Sequence, residues 1–145
     1  MLEEMKTLVR EKTTCVLATA SENQPHCSLM AYVSDDDCRE IYMVTRRESK
    51  KFRNLTKNPS VSLLIDTRGE DPGHQNPEAR ALTISGVVSS LNDDHKISKI
   101  KADMVSQHPH IQPLIEALDS EIIRVKIVSF LLLKGPTEAY FEILE

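Results

Sequence analysis

Short runs of β-branched and apolar residues, separated by polar turns, are the feature that most limits what this chain can fold into. The runs that predict strands are Thr13 to Ala20, Pro25 to about Ser34, Glu40 to Thr45, Val61 to Asp66, Ala81 to Leu91, Glu121 to Leu133 and, as a final short strand, Glu138 to Leu144. The spacing of the first three predicts an antiparallel meander. Helical spacing occurs over Leu2 to Glu11, over Glu48 to Lys57, and from Asn92 or Asp93 to about Gln107. These crossovers are too few for a doubly wound parallel sheet, so the sequence predicts a mainly β fold, a closed antiparallel barrel with helices at its ends.

Length and charge narrow the class of protein. The 145 residues predict a single domain spanning 1–145. The net charge of −4 argues against a dedicated nucleic-acid-binding domain, which normally carries a basic excess. The longest apolar run, Ile127 to Leu133, is too short to cross a membrane, and Met1 to Lys12 lacks the apolar core of a signal peptide. We therefore expect a cytoplasmic protein without nucleic-acid or membrane partners.

Cysteine and histidine spacing gives no sign of a metal site. Cys15, Cys27 and Cys38 are odd in number and contain no C-x-x-C pair, which favours neither a disulfide framework nor a zinc site. Pro109 separates His108 from His110, so the two do not share a helix face. The sequence predicts no bound metal, and it singles out no catalytic residue.

One strongly basic segment contains the residues that most clearly indicate a binding site. The bases are Arg46, Arg47, Lys50, Lys51, Arg53 and Lys57, against one acid, Glu48. Lys50 and Lys51 fall in the first turn of a predicted helix, where the helix dipole already favours an anion over a cation. This placement predicts a phosphate site, to which the hydroxyls of Thr45 and Ser49 add donors. The alternative is an ordinary solvated basic helix face.

The spacing of this segment also resembles a known family. Thr45-x-x-x-Ser-Lys-Lys-Phe-Arg-Asn-Leu55, followed by Asn58-Pro59-x-Val-Ser-Leu63, resembles the pyridoxamine 5'-phosphate oxidase-related family of FMN-binding split barrels. Three other segments occur in the family's order, namely Cys15 to Thr19, Gln24 to Ser28 and Leu82 to Gly86. The resemblance implies a six-stranded antiparallel split β-barrel that binds FMN at a homodimer interface.

The resemblance also implies a cofactor site. Lys50 and Lys51 would hold the FMN phosphate with help from Ser49, and Val44 and Thr45 would line the ribityl and phosphate region. The residues implied beside the isoalloxazine ring are His26, Cys27, Ser28 and Leu29. A second subunit would cover the flavin, so we expect a homodimer.

The departures from the family bear on activity. Enzymes that oxidise pyridoxamine phosphate carry an arginine in the second strand, where this chain reads His26-Cys-Ser-Leu-Met30, and a substrate-binding arginine in a C-terminal segment. Here the chain ends soon after Tyr140-Phe141, so we do not expect that activity. We expect a flavin-dependent oxidoreductase of unknown small-molecule substrate, which would enter beside the isoalloxazine ring, under the loop Thr67 to Glu78. The alternatives are a non-catalytic flavin carrier or sensor, or the same barrel binding deazaflavin or haem, with His74 or His26 as the axial ligand to test.

Overall fold

The computed structural model describes residues 1–68 and 79–145 and contains one curled, eight-stranded antiparallel sheet flanked by helices. The helices are α1 (Leu2–Glu11), α2 (Lys50–Lys57), α3 (Asp94–Gln107) and α4 (Gln112–Glu116), with a 3₁₀ turn over Pro109–Ile111. The strands are β1 (Thr14–Ser21), β2 (Gln24–Ala31), β3 (Val33–Ser34), β4 (Glu40–Arg46), β5 (Ser60–Asp66), β6 (Arg80–Ser89), β7 (Ser120–Lys134) and β8 (Glu138–Ile143). The predicted mainly β, antiparallel split-barrel class is confirmed, although the sheet has eight strands rather than six.

The predicted second strand is divided at Tyr32, and this division closes the barrel. The strand order is β2-β1-β5-β6-β7-β4-β3, with β8 paired to β7, so the two halves of the predicted strand lie at opposite ends of the path. Tyr32 is held at the bend because its amide donates to the Thr13 carbonyl (3.1 Å) and its hydroxyl donates to the Val9 carbonyl (2.6 Å). The predicted meander is confirmed in its pairings, because β2 pairs with β1 and β3 pairs with β4, both antiparallel. The prediction did not include the break at Tyr32 or the pairing of β4 with β7.

Alternation along the strands produces two apolar cores. In β4, Ile41 and Met43 face the barrel interior with Phe130 of β7, whereas Tyr42 and Val44 face outward. Helix α3 covers this outward side with Ile100 and Met104. Cys15 lies in the inner core, and burial raises the pKa of its thiol to about 12.

The outer face of the sheet carries a row of mostly apolar side chains on the other six strands. Residues paired across antiparallel strands point to the same side of a sheet. The pairing places one side chain from each of these six strands in this outer row, in the order Leu29, Val16, Leu64, Thr83, Leu131 and Phe141. Leu29 is 77% exposed and Phe141 is 59% exposed. The sheet thus presents a largely apolar and partly exposed surface on this side, with Thr83 as its one polar member.

Polar residues in the sequence cap the N-termini of two helices. Ser49 and Asp93 act as N-caps of α2 and α3, and each accepts hydrogen bonds from first-turn amides. Within residues 1–68 and 79–145, the structure has no helix that is both long and apolar enough to span a membrane. Most of the loop predicted from Thr67 to Glu78, including His74, lies outside the described residues.

Gly86 provides a test of the fold. It marks the register shift between β6 and β7 that its position in the strand predicts. A Cβ atom built there would lie 2.5 Å from Val125 Cγ1 and 2.8 Å from the Lys126 carbonyl oxygen. We expect Gly86→Ala to lower the free energy of unfolding by about 1–3 kcal/mol, measured by urea denaturation. The exposed neighbour Ser85 supplies the control, and equal stability of Gly86→Ala and Ser85→Ala would contradict the close approach.

Candidate functional site

A groove of about 560 Å³ lies between the β2 edge, the end of β4, the start of α2 and the short helix α4. Its apolar lining residues are Leu29, Met30, Ala31, Val44, Ile111 and Leu114. Its polar lining residues are Thr45, Arg46, Glu48, Ser49, Lys51 and His110. The polar groups come mainly from one chain segment, 45–51, so the groove has an apolar body and one charged end.

The charged end is built around the N-terminus of α2. The Ser49 hydroxyl accepts from the Phe52 amide at 3.2 Å and lies 3.0 Å from Thr45 Oγ1. Asn54, on the buried side of α2, donates to Thr19 Oγ1 at 3.1 Å and ties the helix to β1. The first-turn amides and Lys51 are thereby presented to the groove on a fixed helix, an arrangement suited to an anion.

The basic residues of this segment divide into two groups. Arg46 and Arg47 form ion pairs with Asp119 and Glu121, at 2.9 and 2.8 Å. The hydrogen bond and charge of Arg46 hold the pKa of the Asp119 carboxyl below its usual range. In turn, Asp119 raises the pKa of the Arg46 guanidinium. Lys51, in contrast, forms no ion pair with any described residue.

The structure brings together five of the nine predicted site residues. Those that line the groove are Leu29, Val44, Thr45, Ser49 and Lys51. Lys50 also lies in the first turn of α2, as predicted, but it is exposed and is not among the lining residues.

The predicted site residues on β2 are divided between the two faces of the strand, because successive side chains alternate. His26 and Ser28 pair with Thr19 and Leu17, whose side chains are buried in the barrel, so they lie on the inner face. Cys27 is exposed and lies on the outer face with Leu29. The Nδ1 atom of His26 is buried, and the described residues offer it no hydrogen-bond partner. The four consecutive residues therefore do not form one surface.

Sequence reasoning missed one wall of the groove. His110, Ile111 and Leu114 line it from the 3₁₀ turn and α4. Their pattern after Pro109 predicts a helical turn, but no local signal says that this turn packs over β4. Arg46 and Glu48 were recognised within the basic segment and were not assigned to the site.

Comparison with known proteins identifies the family. The family model described as "Pyridoxamine 5'-phosphate oxidase" matches residues 1–133. The chain belongs to the pyridoxamine 5'-phosphate oxidase family. It is 25% identical to a pyridoxamine 5'-phosphate oxidase homolog of Schizosaccharomyces pombe, over 78% of this chain and 74% of that protein. The resemblance drawn from the basic segment and the strand order is thereby confirmed.

Solved structures share the fold of this oxidase-family chain. A heme binding protein from Mycobacterium smegmatis has a TM-score of 0.82 and 18% identity, covering 97% of this chain and 57% of that longer chain. A FAD-binding protein from Mesorhizobium loti has a TM-score of 0.75 and 18% identity, covering 94% and 96% of the two chains. The fold is thus found in proteins named for flavin binding and for haem binding.

Proposed function

We propose that this protein binds FMN in the groove and acts as a flavin-dependent oxidoreductase on a small molecule. The observation that carries the proposal is the division of the groove into an apolar body and one polar end at residues 45–51, where the cations Arg46 and Lys51 outnumber the single carboxylate of Glu48. FMN has the same division, since a flat, largely apolar ring system is joined through a ribityl chain to a phosphate. The donors present therefore fit the cofactor.

The chain's own residues would bind and orient the flavin. Lys51 and the first-turn amides of α2 would hold the phosphate, with Lys50 contributing long-range charge and Thr45 and Ser49 contributing hydroxyl groups. Leu29 and Val44 would exclude water from the ring. When bound, FMN supplies the capacity to accept a hydride or electrons, which agrees with the lack of a predicted acid–base pair in the sequence.

The proposal includes a homodimer with two equivalent FMN sites, one for each subunit. Leu29 lies at the end of the outer row and also lines the groove, so the groove opens beside the exposed apolar surface. A two-fold partner seated on the outer row would bury Leu64 and Phe141 and cover the ligand. We propose this second copy of the chain as the occupant of the row.

Haem is a second candidate ligand because it shares the flat apolar body and anionic end of FMN. One observation favours it: His110 lines the groove, and imidazole is a common axial ligand of haem iron. A non-catalytic flavin carrier or sensor would use the same groove without turnover.

An absorption spectrum tests the ligand. The purified protein is measured alone, then after incubation with excess FMN or haemin and desalting. We expect oxidised-flavin bands to be retained after FMN addition, and photoreduced protein to pass electrons to acceptors faster than free FMN does. A retained Soret band that His110→Ala abolishes, with full release of FMN, would replace flavin by haem. Retained flavin with turnover no faster than free FMN would identify a carrier.

A further inference from the structure

The far wall of the groove, residues 109–119, is weakly held by apolar packing. We call these residues the wall segment. None of its side chains is fully buried, and its helix α4 has only five residues. Ile111, Leu114 and Ile115 pack only partly against the outer core. A wall of this kind needs other contacts to keep a fixed distance from β4.

Polar contacts hold both ends of the wall segment. At its start, the buried His108 places Nε2 at 3.1 Å from the Tyr32 carbonyl oxygen. At its end, Arg47 donates from Nη2 to the Leu118 carbonyl (3.1 Å) and from its amide to the Asp119 carbonyl (2.9 Å). The Arg46 Nε lies 2.9 and 3.1 Å from the two oxygens of the Asp119 carboxylate.

These contacts differ from an ordinary surface ion pair. An isolated exposed pair contributes little, because ordering two long side chains offsets the attraction. Here two consecutive residues at the end of β4 bind Asp119 and Glu121 through both side chains and backbone. Strand pairing between β4 and β7 already fixes the backbone of Arg46 and Glu121, and Arg47 and Asp119 are the next residues beyond that pairing, so less entropy is lost when the side chains pair.

We propose that Arg46 and Arg47 are positioning residues that fix the wall segment across the groove and do not themselves bind the phosphate. This inference rests on the proposed function, because it assigns roles within the same site. Arg46 lines the groove, so direct phosphate binding by its terminal nitrogens is the competing role.

Two ligands separate the roles. FMN and riboflavin share the ring and ribityl chain, and only FMN carries phosphate. We expect Arg46→Ala and Asp119→Asn each to weaken the binding of both ligands by a similar factor, roughly 2–5-fold. Lys51→Ala is the matched control, because it should weaken FMN binding and leave riboflavin binding nearly unchanged.

Direct phosphate binding by Arg46 predicts the opposite pattern. Arg46→Ala would then weaken FMN binding selectively, while Asp119→Asn would release Arg46 and leave FMN binding equal or tighter. Either result overturns the proposal. Exchange of the pair, Arg46→Asp with Asp119→Arg, should restore the affinity for both ligands if the pairing itself is what matters.

A readout without flavin separates failure of this inference from failure of the proposed function. Amide hydrogen exchange of the wall segment is measured in the ligand-free protein, with β5 and β6 as internal references. We expect faster exchange in Arg46→Ala and Asp119→Asn, and unchanged exchange in Lys51→Ala. Unchanged exchange in all three variants would overturn the positioning role even if the wild-type protein binds no flavin.

Discussion

Replacement of Lys51 by alanine is expected to weaken FMN binding about 10–100-fold, while riboflavin binding changes little. A hydrogen bond to a charged group contributes about 1.5–3 kcal/mol, and each 1.4 kcal/mol corresponds to about tenfold in affinity. Lys51 lines the groove and has no acidic partner among the described side chains, so its charge is available to a ligand. Quenching of flavin fluorescence on titration measures both dissociation constants.

The same helix supplies matched controls for this prediction. Lys50→Ala should have a smaller effect than Lys51→Ala, because Lys50 is exposed beside the groove. Lys57, in the last turn of α2, lies at the other end of the helix, and Lys57→Ala should leave FMN affinity unchanged. Full FMN affinity in the Lys50→Ala/Lys51→Ala double variant would refute the phosphate site.

Leu64→Asp is expected to dissociate the proposed homodimer into monomers of 16.4 kDa, as measured by sedimentation equilibrium. Leu64 lies in the middle of the outer row, and a two-fold interface would bury two copies of the new carboxylate without a partner. Burying an unpaired charge costs several kcal/mol, enough to dissociate a typical small dimer at micromolar concentration. FMN affinity should fall with it, because the partner would no longer cover the ligand.

Leu118→Asp is the control for the interface. Leu118 is 99% exposed, lies in the wall segment and is not part of the outer row. Its substitution should leave the dimer intact. A monomeric wild-type protein, or a Leu64→Asp variant that stays dimeric with an unchanged circular dichroism spectrum, would show that the outer row is not the interface.

Local patterns in the sequence were enough to predict the features that depend on neighbouring residues. Alternation of apolar side chains predicted the strands, and the basic segment predicted a helix from Glu48 to Lys57, which begins at Lys50 in the structure. Gly86 within a predicted strand indicated the register shift between β6 and β7. Each of these signals lies within a few residues of the structure it specifies, and the ordered set was sufficient to indicate the family.

Which residues share the groove depends on contacts between distant parts of the chain. The bend at Tyr32 depends on contacts with Val9 and Thr13, so the strand order could not be predicted from local spacing. Alternation places His26 and Leu29 on opposite faces of β2, and the pairing with β1 decides that the face of His26 turns inward.

The electrostatics of the site were also decided by tertiary structure. Arg46 and Arg47 belong to the same basic segment as Lys50 and Lys51 in the sequence, yet in the structure they pair with Asp119 and Glu121, more than seventy residues later in the chain. The wall carrying His110 and Leu114 is likewise brought to the groove by packing over β4. Pairing and packing between distant segments leave no periodic signal in the sequence, because they depend on how the barrel closes.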